Sequence, residues 1–115
     1  MAGAVPPRDR RLSEGWQFRE AYRSGKSLPG KLMTLVSLPR PEEHARVGYV
    51  ASRKVGGAVR RNRAKRLLRE AHRSMKPAIK ERAVWRVWIA RTACAAATLG
   101  EVQEEMSRLL GRESG

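Results

Sequence analysis

A chain of 115 residues can build one hydrophobic core but not two domains with separate sites. Its 25 Lys and Arg against 11 Asp and Glu leave a formal net charge of +14, a field that attracts polyanions and makes nucleic acid the first partner to consider. No run approaches the roughly 18 apolar residues of a spanning helix, no lipidation signal is visible, and no apolar h-region follows Arg8, Arg10 and Arg11, so no membrane partner is expected and the expected location is cytoplasmic.

Hydrophobic residues make up 41% of the chain, enough for a folded core despite the charge. The expected organisation is a single domain over 1–115, ordered over about 10–110, with flexible ends at 1–9 and 111–115. Ser13 is placed to cap a first helix over 14–24, and Gly25 to end it in a left-handed conformation. Phe18 and Tyr22, four apart, share one face of that helix. Residues 32–38 read as a strand, 39–44 as a Pro- and Glu-containing turn, and 46–53 as a second strand broken by Gly56-Gly57. From Ala58 the period changes. Ala64, Leu67, Leu68, Ala71 and Met75 form one stripe of a helix that Pro77 ends. Residues 84–91 alternate as a strand with Trp85, Val87 and Ile89 on one side. Thr98 and Glu101 then form a capping box for a last helix whose apolar face is Leu99, Val102, Met106, Leu109 and Leu110. Helices packed on a sheet, an α+β sandwich, follow from this order.

The charge is concentrated in the chain. Residues 52–73 carry nine Lys and Arg and one acid, Glu70, whereas 32–51 are neutral and 98–115 are net negative. On the central helix Asn62, Arg66, Arg69 and Arg73 lie opposite the apolar stripe, and Arg61 and Lys65 occupy one flank. Such a helix can bury one face and show RNA the other. Guanidinium forks pair with phosphates in parallel hydrogen bonds, and Asn both donates and accepts at a base edge or sugar hydroxyl. An Arg-rich helix can equally be an ordinary solvated face.

The run Arg46-Val47-Gly48-Tyr49-Val50-Ala51-Ser52-Arg53-Lys54-Val55-Gly56-Gly57-Ala58-Val59, continued by Arg60-Arg61-Asn62-Arg63-Ala64-Lys65-Arg66-Leu67-Leu68-Arg69-Glu70-Ala71, resembles the signature of the bacterial ribonuclease P protein family. Its centre, Arg61-Asn62-Arg63 with Lys65 and Arg66, matches the family's RNR motif. Arg11-Leu12, Phe18, Gly25 and Ile89-Ala90-Arg91 also fit, so the resemblance covers about 10–110. It implies an α-β-β-β-α-β-α two-layer sandwich with a central sheet, an extra short strand before residue 31, and a left-handed crossover through the basic helix between two parallel strands. The implied role is that of the protein subunit of ribonuclease P, a ribonucleoprotein endonuclease and hydrolase of tRNA processing. In that role it binds the catalytic ribonuclease P RNA and the 5′ leader of precursor tRNA, with no obligate protein partner. Leader-binding positions carry over to Phe18, Tyr22, Val36, Arg61, Asn62 and Lys65, and RNA-facing ones to Arg53, Lys54, Arg61, Asn62, Arg63, Lys65, Arg66, Arg69 and Arg73.

Exposed aromatic faces beside basic groups suit single-stranded RNA, which supports Phe18 and Tyr22 in that role; packing of helix against sheet is their alternative use. Val36 stands where the family often has an aromatic residue and offers no stacking face, while Tyr22 keeps the ring of the usual Phe. His72 is expected to pack or to touch RNA marginally rather than to act in acid-base catalysis. Cys94, the single cysteine, forms no internal disulfide and is expected to be a small buried residue. Glu14, Glu20, Glu42, Glu43, Glu70 and Glu81 lack metal-ligand spacing, His44 and His72 are isolated, and Gly56-Gly57 lacks the Gly-Lys-Ser/Thr of a P-loop. No catalytic residue is therefore assigned to the protein, and the resemblance implies Mg²⁺ held mainly by the RNA subunit. A ribosomal-type RNA-binding protein and a stand-alone metal-dependent nuclease are the alternatives on charge and composition.

Overall fold

In a computed structural model, residues 11–41, 44–75 and 83–113 are described, and Pro77 and the terminal segments 1–9 and 114–115 lie outside them. Helix α1 spans Gly15–Ser24. Its N-cap is Glu14 rather than Ser13, because Gln17 in the first turn reaches back with Oε1 to accept the backbone N–H groups of Ser13 and Glu14 at 2.9 and 3.0 Å. Gly25 ends the helix with φ −82° and ψ 164°, extended and not left-handed, because the chain runs straight on into a strand. Glycine is needed there for space. A Cβ would sit 2.4 Å from the Ala21 carbonyl oxygen and 2.9 Å from Val36 Cγ1.

Strand β1, Lys26–Pro29, is the short strand that the resemblance implies. It pairs antiparallel with β2, Met33–Pro39, and β2 pairs antiparallel with β4, Val84–Ala90. Strand β3, Arg46–Ala51, joins β4 in parallel, so the sheet order is β1-β2-β4-β3. Helix α2, Ala58–Met75, makes the crossover between these adjacent parallel strands, and α3, Leu99–Glu113, closes the chain. β3 ends earlier than its apolar pattern suggests. Ser52 accepts the N–H of Lys54 and opens a 3-10 turn at Arg53–Val55, and Gly56 follows with φ 140°, a conformation that side-chain-bearing residues rarely adopt. The Thr98 and Glu101 capping box forms as expected, Glu101 N–H donating to Thr98 Oγ1 at 3.1 Å and Thr98 N–H to Glu101 Oε1 at 2.9 Å.

The central position of β4 follows from its composition, since nearly every side chain of Val-Trp-Arg-Val-Trp-Ile-Ala is buried. On one face Trp88, Met33, Leu35 and Leu28 pack with Ala64, Leu67, Leu68 and Ala71 of α2 and Val102, Met106 and Leu109 of α3. On the other, Trp85, Val87, Val36 and Leu38 pack with Leu12 and Ala21, and Phe18, Val50 and Ile89 lie at the margin. Alternation along β4 thus assigns α1 to one face and α2 with α3 to the opposite one.

Two carboxylates, the buried Glu105 and the half-buried Glu113, hold this arrangement. Glu105 on α3 accepts the backbone N–H groups of Lys31, Leu32 and Met33 at 3.1, 2.6 and 3.0 Å, capping the β1–β2 turn. Gly30 leaves it room, for a Cβ there would lie 2.6 Å from Glu105 Oε2. Glu113 receives two parallel hydrogen bonds, both 2.8 Å, from the buried guanidinium of Arg86 on β4. α3 therefore continues through residues 111–113, which the sequence pattern assigns to a flexible end.

Candidate RNA-binding face

The burial of Ala64, Leu67, Leu68 and Ala71 turns Asn62, Arg66, Arg69 and Arg73 outward, all exposed, with Arg61 and Lys65 half-buried on the flank. Arg53 and Lys54 are exposed on the turn that leads into the helix. Arg63 has a second task. Its Nε donates to the Ala95 carbonyl at 2.8 Å and ties α2 to the 3-10 turn at Thr92–Ala96.

A ladder of rings fixes one flank of α2 over the edge strand. Trp88 Nε1 donates to His72 Nδ1 at 3.2 Å, the His72 ring meets that of Tyr49 at 6.1 Å in an edge-on geometry, and the Arg69 guanidinium lies 5.9 Å from the Tyr49 ring centroid. His72 is thus a packing residue that accepts through Nδ1, and Arg69 is an exposed cation oriented by an aromatic face. Burial pushes the Tyr49 phenol up to about 12, against a smaller opposing effect of Arg69, Arg73 and Arg11.

On the other face of the sheet Phe18 and Tyr22 lie 6.4 Å apart with tilted rings. Phe18 rests on Gly48, where a Cβ would come within 2.8 Å of Phe18 Cε1, and Tyr22 remains 46% exposed with its phenol pushed up by partial burial. Val36 is buried beside Gly25 and shapes the floor under α1 rather than offering surface. The six positions expected from the resemblance to bind the leader therefore form two groups. Phe18, Tyr22 and Val36 lie on the α1 side of the sheet, and Arg61, Asn62 and Lys65 lie on the α2 side, with edge strand β3 between them. Phe18 touches β3 at Gly48 from one face and Arg69 and His72 touch it at Tyr49 from the other.

Cys94 is fully buried, and desolvation first and the Glu105 charge second push its thiol up to about 11, which suits a packing residue and not a nucleophile. Among the described residues no three His, Cys, Asp or Glu side chains gather into a metal-ligand set. No described helix is long and apolar enough to cross a membrane.

The family model of ribonuclease P matches residues 7–114. The ribonuclease P protein component of Dehalococcoides mccartyi is 38% identical over 103 residues, covering 89% of this chain and 82% of the relative. That of Clostridioides difficile is 33% identical over 110 residues, with 91% and 92% covered. The ribonuclease P protein from Thermotoga maritima superposes with a TM-score of 0.77 at 30% identity over 89% of this chain and 96% of that one. The chain belongs to the ribonuclease P protein family. Its role is that of the protein subunit of ribonuclease P, an endoribonuclease of tRNA 5′ processing, and the Arg61-Asn62-Arg63 run lies in the first half of α2, with Asn62 and Arg63 exposed and Arg61 half-buried.

Proposed function

We propose that this ribonuclease P protein binds the catalytic RNA through the exposed face of α2 and the Arg53–Lys54 turn, and holds the single-stranded 5′ leader of precursor tRNA along the β3 edge. The observation that carries the reading is the approach to β3 from both sides, by the Phe18 ring at Gly48 and by the Arg69 cation at Tyr49. A single strand laid along that edge meets a stacking face and neutralising cations together. Phe18 and Tyr22 supply rings, and Arg61, Asn62 and Lys65 supply phosphate and sugar contacts from the α2 flank, with Arg63, Arg66 and Arg73 facing the catalytic RNA.

In this reading the protein does no bond chemistry. It lowers repulsion between two polyanions and favours precursor over mature tRNA, because only the precursor carries a leader to contact. Hydrolysis belongs to the RNA subunit, with Mg²⁺ bound mainly by that RNA, and the assembly works in the cytoplasm. The test is equilibrium binding of precursor and leaderless tRNA to a holoenzyme reconstituted with a bacterial ribonuclease P RNA. Phe18→Ala is expected to lose about 1–3 kcal/mol of the precursor preference, as for removal of one stacking ring. Equal affinity of the wild-type holoenzyme for the two tRNAs would overturn the proposal.

A further inference from the structure

The flank of α1 turned away from Phe18 carries a second aromatic and cationic surface. Trp16 is 50% exposed, whereas Trp85 and Trp88 are fully buried. Its ring is held from behind by Trp85 at 5.8 Å, and Arg40 covers the Trp85 ring with its guanidinium 4.3 Å from the centroid. Trp16, Arg19, Glu20 and Arg23 line a shallow depression. Glu20 does not oppose an anion strongly there: a hydrogen bond from Arg23 is the largest cause holding its carboxyl below the usual range, and Arg40 lies 3.8 Å from its other oxygen. Arg19 is exposed and makes no ion pair or hydrogen bond to a described residue.

These side chains form a track. At about 100° per residue the outward side of α1 presents Trp16 and Arg23 nearly in line, Arg19 about 60° round from Trp16, and Tyr22 about 60° further. Around the helix the two exposed rings therefore flank the two arginines, with Trp16 and Tyr22 about 9 Å apart along the axis and Arg23 one residue beyond Tyr22. Rings for stacking with guanidinium groups between them are the chemistry of a single-stranded RNA groove.

We propose that the outer face of α1 is a second single-stranded RNA platform, on which Trp16 stacks a base of the 5′ leader upstream of the nucleotides held near Tyr22, while Arg19 and Arg23 pair with its phosphates. This rests on the leader reading above, since Tyr22 is the point at which the two surfaces join.

The test uses the holoenzyme reconstituted with a bacterial ribonuclease P RNA and three tRNAs: leaderless, with a leader of about 4 nucleotides, and with one of about 12, lengths near the short end and well inside the range of common single-strand site sizes. The wild type is expected to bind the long-leader precursor more tightly than the short. Trp16→Ala should weaken long-leader binding by about five- to a hundredfold and leave short-leader binding unchanged, and Trp16→Phe should keep most of the gain. Arg19→Ser with Arg23→Ser leaves the indole in place and should also weaken long-leader binding, with a shallower salt dependence. Because Trp16 alone among the tryptophans is exposed, its fluorescence in the free protein should be quenched by a single-stranded RNA of 12 nucleotides. If these variants bind the long-leader precursor as the wild type does, or weaken leaderless and long-leader tRNA equally, the platform is overturned. If instead the wild type gains nothing from the short leader, the reading of the cleft fails.

Discussion

Replacing Glu105 with alanine should remove about 3–4 kcal/mol of folding stability. The carboxylate accepts three backbone N–H groups, those of Lys31, Leu32 and Met33, and the residue is only 4% exposed. A hydrogen bond to a charged group contributes about 1.5–3 kcal/mol, and a buried donor left alone costs about 1–3. The Met33 donor bears the full cost. Those of Lys31 and Leu32 lie at the part-buried turn and regain water in part, which keeps the sum near the lower end. Glu105→Gln should cost less, about 1–2 kcal/mol, because one amide oxygen can take the place of Oε2, which serves both Leu32 and Met33, while the amide NH₂ confronts the Lys31 donor. Urea unfolding followed by circular dichroism measures both variants, and with an m-value of about 2 kcal/mol/M the alanine midpoint should fall by about 1.5–2 M. A loss below about 1 kcal/mol for Glu105→Ala, or a glutamine variant worse than the alanine one, would refute this account of the β1–β2 turn.

Glu113→Ala should destabilise the fold by about 2–4 kcal/mol by leaving the buried Arg86 guanidinium without its bidentate partner, whereas Arg86→Met with Glu113→Leu should be close to neutral in the same urea assay. Gly48→Ala places a methyl carbon 2.8 Å from Phe18 Cε1, so the ring must move; the expected result is weaker binding of precursor tRNA with little change for leaderless tRNA, read by filter binding. The Cys94 thiol, at about 11 and buried, should resist alkylation by iodoacetamide at pH 8 in the native state and react once urea unfolds the chain. Tyr49 is raised above its ordinary value of 10, so the unfolded chain releases this phenolic proton first; its contribution to stability is intact below pH 10 and is lost as pH rises toward about 12, which urea midpoints across that range would show.

Most of the fold could be read from periodicity because its elements bury clean stripes. The α2 stripe from Ala64 to Ala71, the α3 face and the alternation of Trp85, Val87 and Ile89 all lie where hydrophobic spacing puts them. Capping was less legible. Ser13 has the preferred N-cap chemistry, but the competing Gln17 amide selects Glu14, a contest that propensity does not decide. Gly25 resembles a left-handed cap, yet its cause is a close approach of Val36 and Ala21 that exists only in the folded chain. Of the site, the cationic face of α2 follows from helical geometry and the RNR resemblance. Its division from Phe18 and Tyr22 by β3 depends on the β1-β2-β4-β3 order, which no local pattern encodes. Glu105 and Glu113 gave no signal in sequence, since an acid on an amphipathic helix reads as solvated until a turn 72–74 residues away, or Arg86, is brought against it. Trp16 is a similar case. Nothing in the sequence sets it apart from Trp85 and Trp88, and only its exposure beside the buried Trp85 separates it from a core aromatic.

The central claim is that the protein positions RNA while the catalytic RNA cuts. Cleavage of 5′-labelled precursor tRNA at low Mg²⁺, with a bacterial ribonuclease P RNA and with or without this protein, tests it directly. Cleavage at the mature 5′ end should require the RNA, rise when the protein is added, and lose that rise when Arg61→Ala and Asn62→Ala are combined. Cleavage by the protein with no RNA present, or binding to the RNA that never accelerates cleavage, would contradict the account.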